Sequence, residues 1–401
     1  MKVVVVTALT PTPENRGGIS ALIYSLLRFR PRDIEVKIYT LNLNKIGSEE
    51  IVLISKQLQA EINLIEPKNT LWHFIGNKWL ARLQKLSWKA ISARDVVTNN
   101  FLKVLSAEVC DYIVLYPFYV STISDLLPNQ KFVILGPDSE VLNRARRLME
   151  PFRMSSKKMM IDDFIYLQKH IATEKLWGKS NISANFVGWA DYKCYRDVTG
   201  NRNGHFMLHP YVKYKEKLID FMRPKLKVII PGNYDMYYHS DVDKMIPSLL
   251  ANKDFLLQHF EFTFLGKRWS PIDEQLKKAG FDSIFKSWVD DYAEELVQHD
   301  IQITPISLGT GTKGKVLDAA VNGLLVIGSD YALENVCVRH LDSCVLYKDA
   351  SEIGSLLKHV ALNRERYQNI AEKGRAQVLR YHNPVTISER FFRLNYNLLC
   401  K

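Results

Sequence analysis

The sequence predicts an α/β protein of two doubly wound domains, each on a parallel sheet. Three observations predict it. The chain has 401 residues, which suits two domains of roughly 200 residues each. Short valine-, isoleucine- and leucine-rich runs recur along it, and strands buried on both faces read this way. Helical spacing fills the stretches between them, the alternation expected of βαβ units.

Residues 2–8 read as a first buried strand. A loop follows and ends in Gly17-Gly18. Residues 19–27 then place Ile19, Leu22, Ile23, Leu26 and Leu27 at helical spacing. Ligands in such folds bind at the carboxyl ends of strands, so Gly17 and Gly18 either face a donor ligand there or serve only the flexibility of the loop. Residues 35–41 read as a second strand. In residues 70–93, Trp72, Ile75, Trp79, Leu83, Leu86 and Ala90 line one helical face, with Lys78, Arg82, Lys85 and Lys89 beside it. Such a helix either lies on an anionic membrane surface or packs on its own core.

Residues 112–116 and 132–135 are two more strands. The second runs into Gly136-Pro137-Asp138-Ser139. Asp138 is expected at a strand's carboxyl end, where a catalytic or acceptor-binding carboxylate belongs; Asp138 or Ser139 is equally suited to cap the next helix. Residues 141–179 read as long, helical and basic, with Arg144 and Arg147 on one side, placed to reach an anionic acceptor or solvent. A turn cluster at 201–204 and prolines at 210 and 224 mark the boundary between a first domain, 1–205, and a second, 206–384. Strands are expected at 226–230, 260–265 and 284–289, the last with Trp288 at its end. Pro384 breaks the pattern, and 385–401 reads as a last helix.

Residues 305–334 carry the chemistry. A strand at 301–306 leads into the glycine turn Gly309-Thr310-Gly311-Thr312. A helix at 315–321 follows, stopped by Asn322-Gly323, then a strand at 324–328. Glycines let the backbone approach a ligand and aim its amides at it. The helix directs its positive end to the same place, and Lys313 and Lys315 add charge. The combination suits a diphosphate. Asp318, one turn beyond Lys315, is placed to accept hydrogen bonds from ribose hydroxyls.

The apolar share of 47% is ample for two cores, and the net charge of +11 points to an anionic partner. Nucleic acid is set aside, because no recognised binding motif or basic–aromatic cluster is visible. Five cysteines show neither paired nor metal-type spacing, so neither a disulfide frame nor a metal site is expected, and the compartment is expected to be reducing. No apolar run approaches the roughly 20 residues of a membrane span, and the N-terminus does not read as a signal peptide. A cytoplasmic protein, peripheral on the inner face of a membrane, is the expectation.

The segment GTGTKGKVLDAAVNGLLVIGS followed by Glu334 resembles the donor-binding segment of GT-B glycosyltransferases, family 4 in particular. VILGPDSEVLNRARR is similar to a stretch where an acidic or histidine residue ends a strand before an arginine-rich helix. NFVGWADYKCYRDVTG and HPYV also have family counterparts. The resemblance implies two Rossmann-like domains facing across a cleft, the C-terminal helix crossing back to the N-terminal domain. It implies an acceptor on the first domain and a nucleotide sugar on the second. Gly309, Thr310, Gly311 and Thr312 would bind the donor diphosphate. Lys313 and Lys315 would stabilise the leaving nucleoside diphosphate without a metal or other cofactor. Asp318 would bind ribose, Glu334 would orient ribose or sugar, and the backbone near Trp288 would hold the base. The acceptor would be a glycan or a lipid-linked glycan in surface polysaccharide assembly, with anomeric retention. Two departures stand out. Many retaining members have two glutamates here; Asp318 takes the second position and Thr310 the first. The usual Arg and Lys after the first strand of the second domain are replaced by Gly232-Asn233-Tyr234. A catalytically inert nucleotide-sugar or anionic-glycan binder is the alternative.

Overall fold

The computed structural model describes residues 1–14, 19–66, 97–136, 138–149 and 157–401. Gly17, Gly18 and the helix expected over 70–93 lie outside the described residues. The rest form two compact units. One takes the described residues up to Val212 together with Pro384–Lys401; the other is Lys213–Asn383.

The first unit is a parallel sheet of β1 (Lys2–Thr7), β2 (Glu35–Thr40), β3 (Glu61–Leu64), β4 (Tyr112–Tyr116), β5 (Phe132–Gly136), β6 (Ile182–Phe186) and β7 (Gly204–Phe206). Their order across the sheet is β3-β2-β1-β4-β5-β6-β7. The valine run of β1 shows why both faces had to be apolar. Val3 and Val5 join Leu22, Leu26 and Phe391 in one buried cluster, while Val4 and Val6 join Ile113, Leu115 and Phe186 in another. Helices α1 (Ser20–Arg28), α2 (Ser48–Leu58), α3 (Asn99–Ala107), α4 (Ile123–Leu126), α5 (Glu140–Met149), α6 (Lys157–Lys175) and α7 (Trp189–Thr199) connect the strands. The basic stretch read as one helix over 141–179 is thus two, α5 and α6. The unit runs past residue 205 because β7 pairs with β6, Ala184 opposite Gly204.

The second unit is also parallel: β8 (Leu226–Pro231), β9 (Phe260–Leu265), β10 (Ser283–Lys286), β11 (Ile301–Thr304), β12 (Leu325–Gly328) and β13 (Val345–Leu346). The order is β10-β9-β8-β11-β12-β13. Its helices are α8 (His239–Ala251), α9 (Lys253–His259), α10 (Ser270–Lys278), α11 (Tyr292–Val297), α12 (Gly314–Val321), α13 (Asp330–Leu333), α14 (Ile353–Leu362) and α15 (Arg364–Tyr381). The strand order reverses between β8 and β11, which are neighbours in register, Val228 opposite Ile301. Beyond the carboxyl ends of two such strands lies the crevice where open α/β sheets bind ligands.

The final helix, α16 (Pro384–Cys400), starts at the proline expected to break the chain and belongs to the first unit. Proline suits a first helical turn because it has no amide to leave unpaired. Phe391 and Phe392 are buried in that unit's core. Asn395 accepts from Ser183 Oγ at 2.6 Å and Asn185 Nδ2 at 3.0 Å, both on β6. Ser388 Oγ donates to the Leu26 carbonyl at 2.6 Å. These buried polar contacts fix the helix axially, because any slip would strand them without partners.

Candidate functional site

In the second unit the site is built from the loops after β8 and β11. β8 ends at Pro231, and Gly232 turns the chain with φ +118°, a left-handed conformation that favours glycine. A Cβ there would lie 2.2 Å from Tyr238 Oη and 2.5 Å from Lys315 Nζ. Side-chain and backbone contacts hold the loop it opens. Trp269 Nε1 donates to the Gly232 carbonyl at 2.6 Å, and the Tyr238 ring stands edge-on to Trp269, 5.5 Å between centroids. Ser307, in the other loop, donates to the Tyr237 carbonyl from both its amide, at 2.9 Å, and its hydroxyl, at 3.0 Å. The two loops are therefore fastened together at the point of strand reversal.

Residues 305–313 lead from β11 to α12. Gly311 has φ +65°. Lys313 is the N-cap of α12, and its side chain caps none of the first-turn amides. A helix start carries a partial positive charge from its amides and dipole, and here the Val316 amide already donates to the Lys313 carbonyl at 2.8 Å. The Lys313 ammonium turns back onto its own loop, donating to the carbonyl of Thr310 and, at 3.3 Å, to that of Gly311. Gly309 leaves room for this, since a Cβ there would fall 2.8 Å from Lys313 Nζ. Asn335 Nδ2 donates to the same Gly311 carbonyl at 3.2 Å.

Lys315 takes a different course. The residue is partly buried, and its ammonium lies 2.6 Å from Tyr238 Oη and 5.1 Å from that ring's centroid. Burial lowers its pKa to about 8, opposed by the Asp235 carboxylate. Asp318 follows on α12. Its charge, after burial, helps hold the Tyr292 phenol well above its ordinary pKa. Tyr292 Oη is buried and has no hydrogen-bond partner among the described residues. Glu334 directly follows α13 and is partly buried. Trp288 is 69% exposed. It lies beyond the end of its strand, because β10 stops at Lys286 rather than at 289.

The first unit holds the expected acceptor-side residues. Asp138 follows β5, and its charge adds to burial in raising the Tyr116 phenol. Ser139 caps α5: the Leu142 amide donates to Ser139 Oγ at 3.2 Å. Ser139 is held in turn by two buried carboxylates. Its amide donates to Asp191 at 2.7 Å and its hydroxyl to Glu174 at 3.1 Å. Burial pushes Glu174 up to about 8.

Arg144 and Arg147 are both partly buried. Both close on Asp163 of α6, Arg144 Nη1 at 2.6 Å and Arg147 Nη2 at 3.0 Å. Arg144 also lies over the Tyr166 ring, 5.3 Å from its centroid, and 3.6 Å from Glu140. A buried carboxylate between two guanidiniums offsets one of their two charges internally.

Comparison with known proteins agrees with this architecture. HepE of Anabaena, solved in complex with UDP-glucose, superimposes with a TM-score of 0.65 at 11% identity, covering 98% of each chain. Sucrose-phosphate synthase of Thermosynechococcus elongatus gives 0.67 at 12%, covering 99% of each. WaaG, a glycosyltransferase involved in lipopolysaccharide biosynthesis, gives 0.61 at 14%, covering 97% of this chain and 98% of its own. The fold is GT-B. No curated protein sequence matches the chain. Residues 245–393 match the family described as "Glycosyl transferase-like". The chain carries a glycosyltransferase domain.

In this glycosyltransferase the contiguous candidates Gly309, Thr310, Gly311, Thr312, Lys313, Lys315 and Asp318 share one loop and helix. Gly232, Asp235, Tyr238 and Tyr292 join them from elsewhere in the second unit. They were missed because nothing local marks them. The available signal was the tyrosine-rich loop opened by Gly232, at the place where the family's basic residues stand.

Proposed function

We propose that this glycosyltransferase moves a sugar from a nucleotide-sugar donor to a hydroxyl of a glycan or lipid-linked acceptor, in the assembly of a surface polysaccharide. One observation carries the reading: the partly buried Lys315 ammonium is held by Tyr238 at the reversal between β8 and β11, next to the glycine loop and the start of α12. A partly buried cation with helix amides beside it is an arrangement for a diphosphate. HepE, which shares the fold, was crystallised with UDP-glucose.

On this reading Gly309, Gly311 and Thr312 offer backbone amides to the diphosphate, and Lys315 offsets the negative charge that grows on it as the sugar's anomeric C–O bond breaks. No metal is required, because the protein's own cation and dipole supply that stabilisation. Lys313 reaches the diphosphate by leaving the carbonyls of Thr310 and Gly311. Asp318 and Glu334 take hydroxyls of ribose and sugar, and the backbone near Trp288 takes the base. The acceptor hydroxyl's oxygen forms the new C–O bond while its proton passes to the departing diphosphate, and on this reading Asp138 lies on the acceptor side. Retention follows the family pattern. Among the described residues no helix is long and apolar enough to cross a membrane. The +11 charge supports peripheral attachment to an anionic leaflet.

Thermal-shift screening against UDP-, GDP-, ADP- and CMP-sugars tests the donor site, since a ligand of the folded state raises the melting temperature. Release of free sugar from the stabilising donor separates an enzyme from an inert binder on the same fold. A panel with no shift at all defeats the proposal.

A further inference from the structure

We propose that Tyr238 is the positioning residue of the donor site: its hydroxyl aims the Lys315 ammonium at the diphosphate through the gap that Gly232 leaves at the end of β8. This rests on the reading of residues 305–315 as the diphosphate-binding segment.

The hydrogen-bond directions are determined. Tyr238 Oη lies 2.6 Å from the Pro231 carbonyl, which can only accept, so the phenol proton points there. The ammonium can only donate, so the contact with Lys315 Nζ, also 2.6 Å, uses the phenol's lone pair. One of the three ammonium protons is thus directed, which restricts the other two. The phenol itself cannot turn away. Tyr238 is buried in the core cluster of the second unit, against Trp269, and Trp269 is tied to the Gly232 carbonyl. Gly232 completes the arrangement by what it lacks. Its missing Cβ is the space that Tyr238 Oη and Lys315 Nζ occupy. A basic side chain at 232 and the Lys315 ammonium exclude each other, so the cation comes from α12 instead of from the loop after β8.

Tyr238 and Asp235 face the ammonium from the loop that leads into α8, and uncharged Gln302 of β11 donates to the Lys315 carbonyl at 3.1 Å. With the lysine near 8, an anion that needs it charged binds less tightly as pH rises above that point, by about tenfold per pH unit.

The test is UDP affinity by titration calorimetry from pH 7 to 9.5, on the full chain, for the parent, Tyr238→Phe, Lys315→Ala and the double variant; GDP and ADP are run in parallel for the parent. Tyr238→Phe keeps the ring on Trp269 and removes only the acceptor. UDP binding is expected to weaken about tenfold at pH 7. The pH at which affinity begins to fall is expected to move below that of the parent, because a partly buried ammonium without its acceptor loses its proton more easily. Adding Tyr238→Phe to Lys315→Ala is expected to change nothing further. Gly232→Ala provides a second route, expected to weaken UDP binding as Lys315→Ala does. A purely structural tyrosine would lower the melting temperature and leave the pH profile in place. If the parent binds UDP and the Tyr238→Phe profile breaks at the same or a higher pH, the inference is overturned while the donor site stands. If the parent binds none of the three nucleotides, the diphosphate reading falls and this inference falls with it.

Discussion

Lys315→Met is expected to make the protein more stable and a worse binder. The lysine is held near 8 against an ordinary 10.5. The unfolded chain keeps its proton up to the higher value, while the folded chain gives it up from the lower. The charged form is therefore a liability in the fold below pH 8, and stability recovers as pH rises toward 10.5. At about 1.4 kcal/mol per tenfold, the cost at pH 7 is about 3 kcal/mol. Methionine keeps the apolar stem and leaves the lone pair of Tyr238 unused, a loss of about 1 kcal/mol. The net gain of about 2 kcal/mol corresponds to a rise of about 4–8 °C in the transition of a unit this size. Scanning calorimetry at pH 7 and pH 10.5 measures it, and the gain should vanish at the higher pH. UDP affinity should drop at least about tenfold, the scale of a charge-assisted hydrogen bond. A lower melting temperature combined with unchanged UDP affinity would show the lysine to be a structural residue and refute the reasoning.

Three further outcomes follow from buried groups in the first unit. Asp163→Asn removes the charge shared by Arg144 and Arg147 and should lower the unfolding free energy by about 3 kcal/mol, read from the urea midpoint. Asn395→Ala takes away the acceptor of Ser183 Oγ and leaves Asn185 Nδ2 only its contacts to Ser183, and should cost about 1–3 kcal/mol; replacing all three by apolar residues of similar size should recover most of it. Glu174, pushed up to about 8 by burial, keeps its proton in the fold where the unfolded chain has lost it. Its contribution therefore falls as pH rises from about 4.5 to 8, and Glu174→Gln should flatten that part of the melting-temperature profile.

The parallel sheets were legible because their central strands are apolar on both faces, as the valines of β1 show. β3 and β7 were not. Glu61–Leu64 is an edge strand, with charge and polarity in its pattern, and Gly204–Phe206 has three residues and begins in what reads as a turn. The site divides in the same way. Glycine loop, helix start, lysines and Asp318 are contiguous, so local spacing exposes them. Gly232 and Tyr238 act on Lys315 from a distant loop, and only the sheet order brings β8 beside β11. Arg144 and Arg147 do fall on one side of a helix, but the carboxylate they both pair with lies on the next helix. Periodicity shows which face a residue is on and not what that face meets.

The placement of α16 bears on how the molecule is made. Ile387, Phe391 and Phe392 complete the core beneath β1 and β4, yet they emerge from the ribosome only after the whole of 213–383. The first unit must therefore wait, its apolar flank uncovered, while the second is synthesised. A fragment ending at residue 212 is expected to aggregate, whereas 213–383 contains its entire sheet and should be recoverable in soluble form.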